Sequence, residues 1–509
     1  MPSSPAPCHH KEPDVLSPLL GGEASSPGRR TDRDTTDNSV AHGACSTWTE
    51  QAGTDKPFPT RQILLLCFVR MMEPIACFSI FPFIAQMVQR NRQLPDSDVG
   101  LYSGLIESLF SATQMTVLIF WGRLADRVGR KPILLCSLVG LTIGPVLFCL
   151  ATTIPEMIFF RCLAGVFSGS DLIIRTMIAE NSTPKTQARA FGWFSIGGNL
   201  GIFLGPVVGG AFASPATQYP GLFSGIEFLE RHPYALPGFV TGLISFTGAI
   251  TVALFLKETL PREREPQHGR FRWQHQQHQQ QSSSQLTLLE IVKAPSVMLV
   301  LSLYGHVMLL AFAFTAILPI LLYTPVQLGG FGFGPSLISL IMATEAASQA
   351  LWLVLAFPPL HRRLGNRGLL QACGLAYPLV FAGYILLNQL LRDGSDTARA
   401  WFWVACAIES LVGPGVAMSF TAVQLALNDV APSPQVLGTL NAVALTVSSA
   451  VRSIAPGATS ALYALGVRSR ILDGQLIWVG LIPLAAVLGV TAKWLPKDKT
   501  NSGQGAGHA

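Results

Sequence analysis

The chain has 509 residues, of which 49% are hydrophobic and only 13% are charged, whereas soluble globular domains carry about 25% charged residues. This composition excludes an ordinary soluble domain and indicates a chain that crosses the lipid bilayer many times. The net charge of +6 does not indicate a nucleic-acid partner, because Lys and Arg fall in alternate loops, as the positive-inside rule requires of membrane proteins.

The first 57 residues are rich in Pro, Ser, Thr, Asp and Gly. They lack the apolar core and the small-residue cleavage site of a secretory signal. Low hydrophobicity of this kind cannot support a packed core. We therefore expect residues 1–57 to form a disordered cytosolic tail.

Twelve apolar segments follow, each long enough to cross the roughly 30 Å of hydrocarbon in a bilayer. We number them spans one to twelve in chain order. They are predicted at 62–88, 98–121, 132–152, 155–179, 187–212, 234–256, 296–323, 334–358, 369–390, 401–427, 437–464 and 475–495.

A tract rich in Gln, His and Ser separates span six from span seven, and its composition predicts a flexible loop. This places one six-span half at 58–258, a cytosolic loop at 259–292, a second six-span half at 293–495 and a cytosolic tail at 496–509.

The loop between spans two and three, Gly122–Lys131, contains four cations, one carboxylate and two glycines within ten residues. Such a loop cannot lie in hydrocarbon, and its positive charge predicts a cytosolic position with both termini on the same side. Its candidate functional residues are Gly122, Asp126, Arg127, Gly129 and Arg130.

A weaker copy of this loop follows span eight, at Leu360–Arg367. Gly365 aligns with Gly129 and Arg363 with Arg127, but Arg362 replaces Asp126. The similarity supports two repeated halves, as expected of transporters built from parallel repeats.

Ionisable side chains inside the spans are costly in lipid and are functional candidates by default. They are Arg70 and Glu73 in span one, Glu107 in span two, Arg161, Asp171 and Arg175 in span four, His306 in span seven, Glu345 in span eight, Glu409 in span ten and Arg452 in span eleven.

Spacing separates these residues into groups. Arg70 and Glu73 are three residues apart, and Asp171 and Arg175 are four apart, so local ion pairs are an alternative to a transport role for these four. A carboxyl group in a partly desolvated cavity can bind and release protons. We expect the proton carriers to be Glu73, Glu107 and Asp171.

The remaining groups are candidates for the cavity that holds the substrate: Arg70, Arg161, Arg175, His306 and Glu409. Glu409 is the acid that we expect to face a substrate in the second half. For His306, a packing role with one hydrogen bond remains the alternative.

Span five carries small residues at four-residue spacing, including Gly201, Gly205, Pro206 and Gly209. Such a string lets helix backbones approach closely, either for static packing or at a surface that moves during gating.

Together, these motifs resemble the signatures of a known family. Gly122–Lys131, the pair Arg161 and Gly165, and Gly201–Gly210 are similar to the three signature motifs of the major facilitator superfamily. Further strings resemble the zinc-induced-facilitator-like branch of its drug:proton antiporters, in the fungal form: Arg70–Ile75, Tyr219–Phe223, Glu258–Pro261, and Leu437–Asn441 with Arg452.

The resemblance implies an all-α membrane protein with the major facilitator fold, twelve transmembrane helices in two six-helix bundles, with spans one, four, seven and ten lining the cavity. It also implies that the Gly122–Lys131 loop holds an outward-open state. In that role Asp126 faces the end of span eleven, while Arg127 and Arg130 meet an acid at the end of span four, here Glu180. We place Arg452 and the span-five string in the same gating group.

The sequence contains no phosphate-binding Gly-x-x-x-x-Gly-Lys-Ser/Thr string and no catalytic or metal-ligand motif. We therefore expect no enzyme activity, no cofactor and no resident metal. The predicted function is proton-coupled antiport that exports a small organic molecule, such as a drug, toxin or secondary metabolite, from a monomer in the plasma or vacuolar membrane. A proton symporter or uniporter of a nutrient or metal chelate, and a non-transporting solute receptor, remain alternatives.

Overall fold

The computed structural model describes residues 59–92, 95–260, 294–431 and 434–495. The predicted tails at 1–57 and 496–509, and all but the first two residues of the predicted 259–292 loop, lie outside these ranges. The domain boundaries therefore stay predictions.

The described residues form helices and short connections, without β-strands. The first half contains Thr60–Arg70, Met72–Phe78, Phe81–Arg92, Asp96–Val128, Arg130–Leu150, Ile154–Phe167, Ser170–Asn181, Pro184–Phe212, Pro215–Gln218, Pro220–Phe223, Glu227–Arg231 and Ala235–Phe255. The second half contains Pro295–Tyr323, Val326–Leu328, Pro335–Leu351, Trp352–Ala356, Phe357–Asp393, Asp396–Val412, Gly413–Ala417, Met418–Asp429, Pro434–Ser469, Ile471–Gly474, Leu476–Thr491 and Ala492–Trp494.

Ten segments of the described chain are long and apolar enough to cross a membrane. One of them, Pro335–Asp393, has 59 residues and contains a break at Gly365 (φ 67°, ψ −179°), so it includes predicted spans eight and nine. Pro434–Ser469, at the place of span eleven, is a further long helix of 36 residues. The described helices follow the predicted chain order of the spans. The count of twelve membrane crossings stays a prediction.

The outer surface of the bundle is apolar, as expected for a protein that faces lipid tails. Large exposed hydrophobic side chains occur on most spans, including Ile119, Phe159, Ile196, Leu243 and Leu379. Buried apolar residues form one large cluster, drawn almost entirely from the second half, and smaller clusters in the first half.

Spans one and four are both interrupted near the middle of the bundle. The helix of span one is divided at Met71 and again after Phe78, while Met71 and Ser79 keep helical backbone angles. Span four stops at Phe167 and resumes at Ser170, so Ser168 and Gly169 leave the regular helix. Non-helical backbone at membrane depth is tolerated only where it faces protein or a water-filled cavity, and the break in span four faces the interior described below.

The two halves meet through small residues at one end of the bundle. Between spans two and eleven, a Cβ atom added at Gly104 would lie 2.2 Å from Ser460, and the Gly457 N–H donates to Ser108 Oγ at 2.6 Å. Such distances require glycine, because any larger residue would push the two helices apart.

Spans five and eight, and spans one and seven, also meet at this end. Ser339 Oγ donates to the carbonyl oxygen of Pro206 at 2.6 Å, and the Tyr323 hydroxyl donates to Gln89 Oε1. All four contacts lie at the end of the helices opposite the Gly122–Lys131 loop. The bundle is therefore closed at that end.

The glycine string of span five lies directly against span one. Added Cβ atoms would lie 2.7 Å from the Met71 carbonyl oxygen at Gly201, 2.7 Å from Phe78 Cβ at Gly205 and 1.8 Å from the Ser79 carbonyl oxygen at Gly209. Spans one and five thus pack backbone to backbone, and this contact fixes the position of span one beside the cavity.

We expect Gly209→Ala to destabilise the protein by about 1–3 kcal/mol, because the added methyl group overlaps the backbone of span one. Gly192→Ala on the same helix is the matched control, since nothing lies within 4 Å of a Cβ atom there. That control should leave stability unchanged or raise it by up to about 1 kcal/mol. Thermal unfolding of the two purified variants measures this difference, and equal melting temperatures would contradict the close contact.

Candidate functional site

Two adjoining cavities lie in the middle of the bundle between the halves. The first, which we call the polar cavity, has a volume of about 260 Å³ and is lined mainly by spans one, two, four, seven and eleven. The second, the aromatic cavity, has a volume of about 200 Å³ and is lined mainly by spans seven to ten. The two share Phe78, Ile202, Phe312 and Thr315, so together they form one continuous space.

Glu73 lies on the wall of the polar cavity at the break in span four. Its carboxylate accepts hydrogen bonds from Ser168 Oγ at 2.5 Å, Gln114 Nε2 at 2.9 Å and the Asp171 N–H at 3.2 Å, and another from Ser170 Oγ. The interruption of the helix supplies three of these four donors. Glu73 is thus held by neutral donors, not by the predicted pair with Arg70.

Asp171 joins spans one and four through two arginines. It lies 3.1 Å from Arg70 Nε and accepts a hydrogen bond from Arg175 Nε at 3.1 Å. Both guanidinium groups also lie over the ring of Phe194, at 4.8 and 4.5 Å from its centroid. The predicted local pair of Asp171 and Arg175 is present, and Arg70 adds the contact between spans.

Glu107 and Arg161 form the most deeply buried ion pair of the described residues. Arg161 Nη2 donates to Glu107 Oε2 at 2.6 Å, and the two residues are 3% and 7% exposed. Arg161 also lies 4.2 Å from the ring centroid of Phe110 and 3.5 Å from Cys77 Sγ. Glu107 has no cation at helical spacing in its own span, and its partner comes from span four.

Arg452 extends from span eleven into the polar cavity. Its Nη2 lies 3.8 Å from Cys77 Sγ, and its guanidinium carbon lies 6.0 Å from the Phe110 ring centroid. The sequence predicts Arg452 in the gating group, whereas it lies in the polar cavity, about midway along the helix Pro434–Ser469. Cys77, which contacts both arginines, was not predicted as a cavity residue.

The aromatic cavity is lined by rings from both halves, including Phe78, Phe312, Phe381 and Phe420. Its acidic group is Glu345, whose Oε1 accepts a hydrogen bond from the Tyr384 hydroxyl at 2.8 Å. No cation lies within ion-pair distance of Glu345 among the described residues. The second half therefore contributes an apolar wall with one carboxyl group.

Four of the five predicted cavity residues line neither the polar nor the aromatic cavity. His306 Nε2 is 2.9 Å from the Leu484 carbonyl oxygen in the last span, as expected for the packing alternative. Glu409 packs against Gly383 and Gly413. Arg161 and Arg175 lie just behind the wall of the polar cavity, where they contact its carboxylates Glu107 and Asp171. A single sequence shows which residues share a helix face but not which face points inward, and this explains all four differences.

At the loop end of the bundle, four side chains form what we call the latch cluster: Asp126, Arg130, Glu180 and Glu258. Arg130 donates to Glu180 Oε1 at 3.0 and 3.1 Å and also to Asp126. Glu180 in turn accepts a hydrogen bond from Thr259 Oγ1 at 2.5 Å. The cluster joins the ends of spans two, three and four to the segment after span six.

Glu258 was not among the predicted site residues. Its carboxylate accepts the backbone N–H groups of Arg130 at 2.9 Å and Lys131 at 3.0 Å. Gly129 is required beside it, because φ is 121° there and an added Cβ atom would lie 2.7 Å from Glu258 Oε2. The sequence signal that could have identified Glu258 as a site residue is its position in the family-like string Glu258–Pro261.

Two other parts of the gating prediction differ from the structure. Arg127 is exposed and has no ion pair within the described part of the chain, so Arg130 alone meets Glu180. Asp126 contacts Arg130. Its predicted contact with the end of span eleven would lie at the cytosolic end of that span, where the side chains of 434–439 are outside the described residues.

The second half repeats this arrangement with an uncharged donor. Gly365 has positive φ, as Gly129 has, and the next residue, Asn366, donates to Asp429 Oδ2 at 2.7 Å. Asn366 thus occupies the place of Arg130, and Asp429, at the end of span ten, occupies the place of Glu180. The weak sequence repeat corresponds to a repeated local structure.

We expect Arg161→Gln to destabilise the protein by about 3–5 kcal/mol, because it leaves Glu107 buried without a counter-charge. The double variant Arg161→Gln with Glu107→Gln should recover most of that loss, since no lone charge remains. Melting temperatures of the purified single and double variants measure the coupling. A double variant as unstable as the single one would contradict an ion pair at this position.

We expect Glu258→Ala to raise hydrogen exchange at the Arg130 and Lys131 amides about tenfold at pH 7, because both N–H groups lose their acceptor. Glu227→Ala, at an exposed carboxylate, is the control and should leave exchange at both amides unchanged.

This contact should also depend on pH in one direction. Partial burial opposes ionisation of Glu258, but four backbone N–H donors outweigh burial and lower its pKa below the usual range. A lowered pKa contributes stability that is complete above the unfolded-state value of about 4.3 and is lost as the pH falls through the folded-state value. The protection factors of these amides, which compare the observed exchange rate with the intrinsic rate at the same pH, should therefore stay constant from pH 8 to 5 and fall below about pH 4; a fall near pH 6 would contradict this assignment.

Comparison with known proteins agrees with this architecture. The family model described as Major Facilitator Superfamily matches residues 66–456. The structure of a D-xylose-proton symporter superposes with a TM-score of 0.64 at 12% identity, covering 87% of this chain and 98% of that one. The structural likeness supports the fold alone.

Curated relatives cover most of the chain. The efflux pump azaK of Aspergillus niger is 40% identical over 437 residues, which are 86% of this chain and 88% of that protein. The protein ZINC INDUCED FACILITATOR-LIKE 1 of Arabidopsis thaliana is 22% identical over 86% of this chain and 92% of its own length. With the family model, these similarities show that the chain belongs to the major facilitator superfamily, with its all-α transmembrane fold, and that it is a multi-pass membrane transporter of small molecules and not an enzyme.

Proposed function

We propose that this transporter exports a small organic molecule from the cytosol in exchange for protons, by alternating access of the central cavity. The observation that carries the proposal is the continuous space between the halves. Its first-half wall holds three carboxylates, and its second-half wall is largely aromatic. Such a space can bind protons on one side and an apolar cargo on the other.

Export is supported by the similarity to azaK, which is an efflux pump. The contacts that close one end of the bundle lie opposite the Gly122–Lys131 loop, which the positive-inside rule assigns to the cytosol. In that orientation the cavity is closed toward the outside, as a state that receives cytosolic cargo must be. Plasma membrane or vacuolar membrane, both termini cytosolic, and a monomer are parts of the same proposal.

The proton carriers in this proposal are Glu73, Glu107 and Asp171. Each lines the polar cavity, and each contacts at least one group from another span. Protonation of Asp171 would weaken its contacts with Arg70 and Arg175, and protonation of Glu107 would weaken its pair with Arg161. Protons entering from outside would thus rearrange the polar wall, which is the condition for coupling proton binding to a change of state.

The latch cluster would stabilise one of the two states. Its ion pairs lie near the surface, with side-chain exposures of 11% for Arg130, 29% for Glu180 and 64% for Asp126. Ion pairs that reach solvent contribute about 0–1 kcal/mol each. Contacts this weak can break in each cycle, as a conformational switch requires.

The test uses everted membrane vesicles that are acidified inside and contain the expressed protein. The probes are toxic aromatic compounds to which expression gives resistance. Wild-type vesicles should accumulate such a compound only while the pH gradient persists. Glu73→Gln or Asp171→Asn should abolish this accumulation but preserve counterflow, since the amide cannot carry the proton.

Glu227→Gln is the control for this experiment, because Glu227 is exposed on the short helix Glu227–Arg231. It should retain full accumulation. Uptake that ignores the pH gradient would replace antiport with uniport. Accumulation with an alkaline interior would indicate symport, and binding without any flux would indicate a receptor.

A further inference from the structure

Arg452 differs from the other arginines of the cavity because it has no acidic partner. Arg70 and Arg175 pair with Asp171, and Arg161 pairs with Glu107. Across the described residues, no carboxylate lies within 4.0 Å of Arg452; its contacts are the weak ones to Cys77 Sγ and the Phe110 ring.

The charges of this region can be counted. Four arginines, namely Arg70, Arg161, Arg175 and Arg452, face or adjoin the polar cavity, together with three carboxylates, namely Glu73, Glu107 and Asp171. The difference leaves one positive charge in excess when all seven groups are ionised. Asp171 contacts two arginines and Glu73 is held by neutral donors, so the excess belongs to the region as a whole. Among these four arginines, Arg452 is the one without a carboxylate contact.

An arginine cannot remove this charge by losing its proton, because guanidinium remains protonated in proteins. Glu345 in the aromatic cavity is different, since a carboxyl group can become neutral by binding a proton. A lone carboxyl group therefore does not require a cationic cargo. Arg452 is half-buried on the wall of the polar cavity, and a guanidinium that lacks a carboxylate contact there favours a bound anion.

The space beside Arg452 indicates what the rest of that anion is like. The polar cavity continues into the aromatic cavity through Phe78, Phe312 and Thr315. A molecule with its charge at Arg452 would thus extend toward rings from spans seven to ten. A guanidinium group also matches the two oxygens of a carboxylate in geometry.

We infer that the cargo is an organic acid whose carboxylate or similar oxyanion binds Arg452 and whose aromatic or apolar body occupies the adjoining cavity. This rests on the proposed function only in taking the cavity as the cargo site. The inference holds equally for antiport or uniport, because it concerns what is bound and not what drives movement.

The test measures binding of three matched probes to the purified full-length protein by isothermal titration. The probes are 2-naphthoic acid, its neutral amide, and 2-naphthylmethylamine, which share one bicyclic body and differ in charge. Wild-type protein should bind the acid at least about tenfold more tightly than the amide. In Arg452→Gln the preference should fall below about threefold, with the affinity for the amide unchanged.

Two further variants separate a binding role from general effects. Arg452→Lys should retain part of the preference, since it preserves the charge but not the fork of donors. Arg468→Gln removes an exposed charge near the end of the same helix and should behave as wild type.

Stability of the cargo-free protein gives a second readout. Because Arg452 has no acidic partner, Arg452→Gln should leave the melting temperature equal to or above that of the wild type, whereas Arg161→Gln should lower it. A loss of stability in Arg452→Gln as large as that in Arg161→Gln would show a structural role and overturn the inference.

The other outcomes are also decisive. Equal affinity of the wild type for acid and amide, tighter binding of the amine, or no binding of any of the three probes would overturn the inference. Acid-selective binding that depends on Arg452, combined with vesicle flux that ignores the pH gradient, would preserve the inference and reject proton coupling. Proton-driven export of the acid and the amide at equal rates would support proton coupling and reject the inference of an anionic cargo.

Discussion

Charges inside this apolar bundle must find partners within the protein or face its cavity, and the architecture of the first half follows from that constraint. Each unpaired ion in a low-dielectric interior costs several kcal/mol. Asp171 with Arg70 joins spans four and one, and Glu107 with Arg161 joins spans two and four. The break in span four serves the same need, because it directs two serine hydroxyls and one backbone N–H toward Glu73.

The two halves use the same local structure at the loop end with different electrostatics. Positive φ at Gly129 and Gly365 lets the chain turn from one span to the next. The following side chain then contacts an acid at the end of the fourth or tenth span. In the first half this contact is an ion pair with Glu180, and in the second it is a hydrogen bond from the uncharged Asn366 amide to Asp429. A contact with an uncharged donor depends less on salt, so the loop of the first half is the more sensitive of the two to ionic strength.

The fold, the identity of the charged residues and the local pair of Asp171 with Arg175 could be predicted from the sequence, but the contacts that join one cavity span to another could not. Apolar runs and alternating cationic loops are strong signals, whereas spacing within one helix left a pair of Arg70 with Glu73 as an alternative. Arg70 in fact contacts Asp171, and Glu73 accepts its hydrogen bonds at the break of span four. Glu258 was overlooked since an acid in a loop normally faces water. Its role becomes visible only when the backbone of Arg130 is placed beside it.

The two walls of the cavity belong to different halves of the protein, and Arg452 lies where the halves meet. Arg452 belongs to the second half, yet it lies next to Cys77 and Phe110 of the first. Cys77 also lies 3.9 Å from Glu107 Oε1, so one thiol separates the unpaired guanidinium from a carboxylate. A bound anion would keep Arg452 neutralised at its present position, while an empty cavity would leave Glu107 as the nearest counter-charge. In the proposed cycle the halves move relative to each other and change this separation, so the proposed cargo and Glu107 would compete for Arg452.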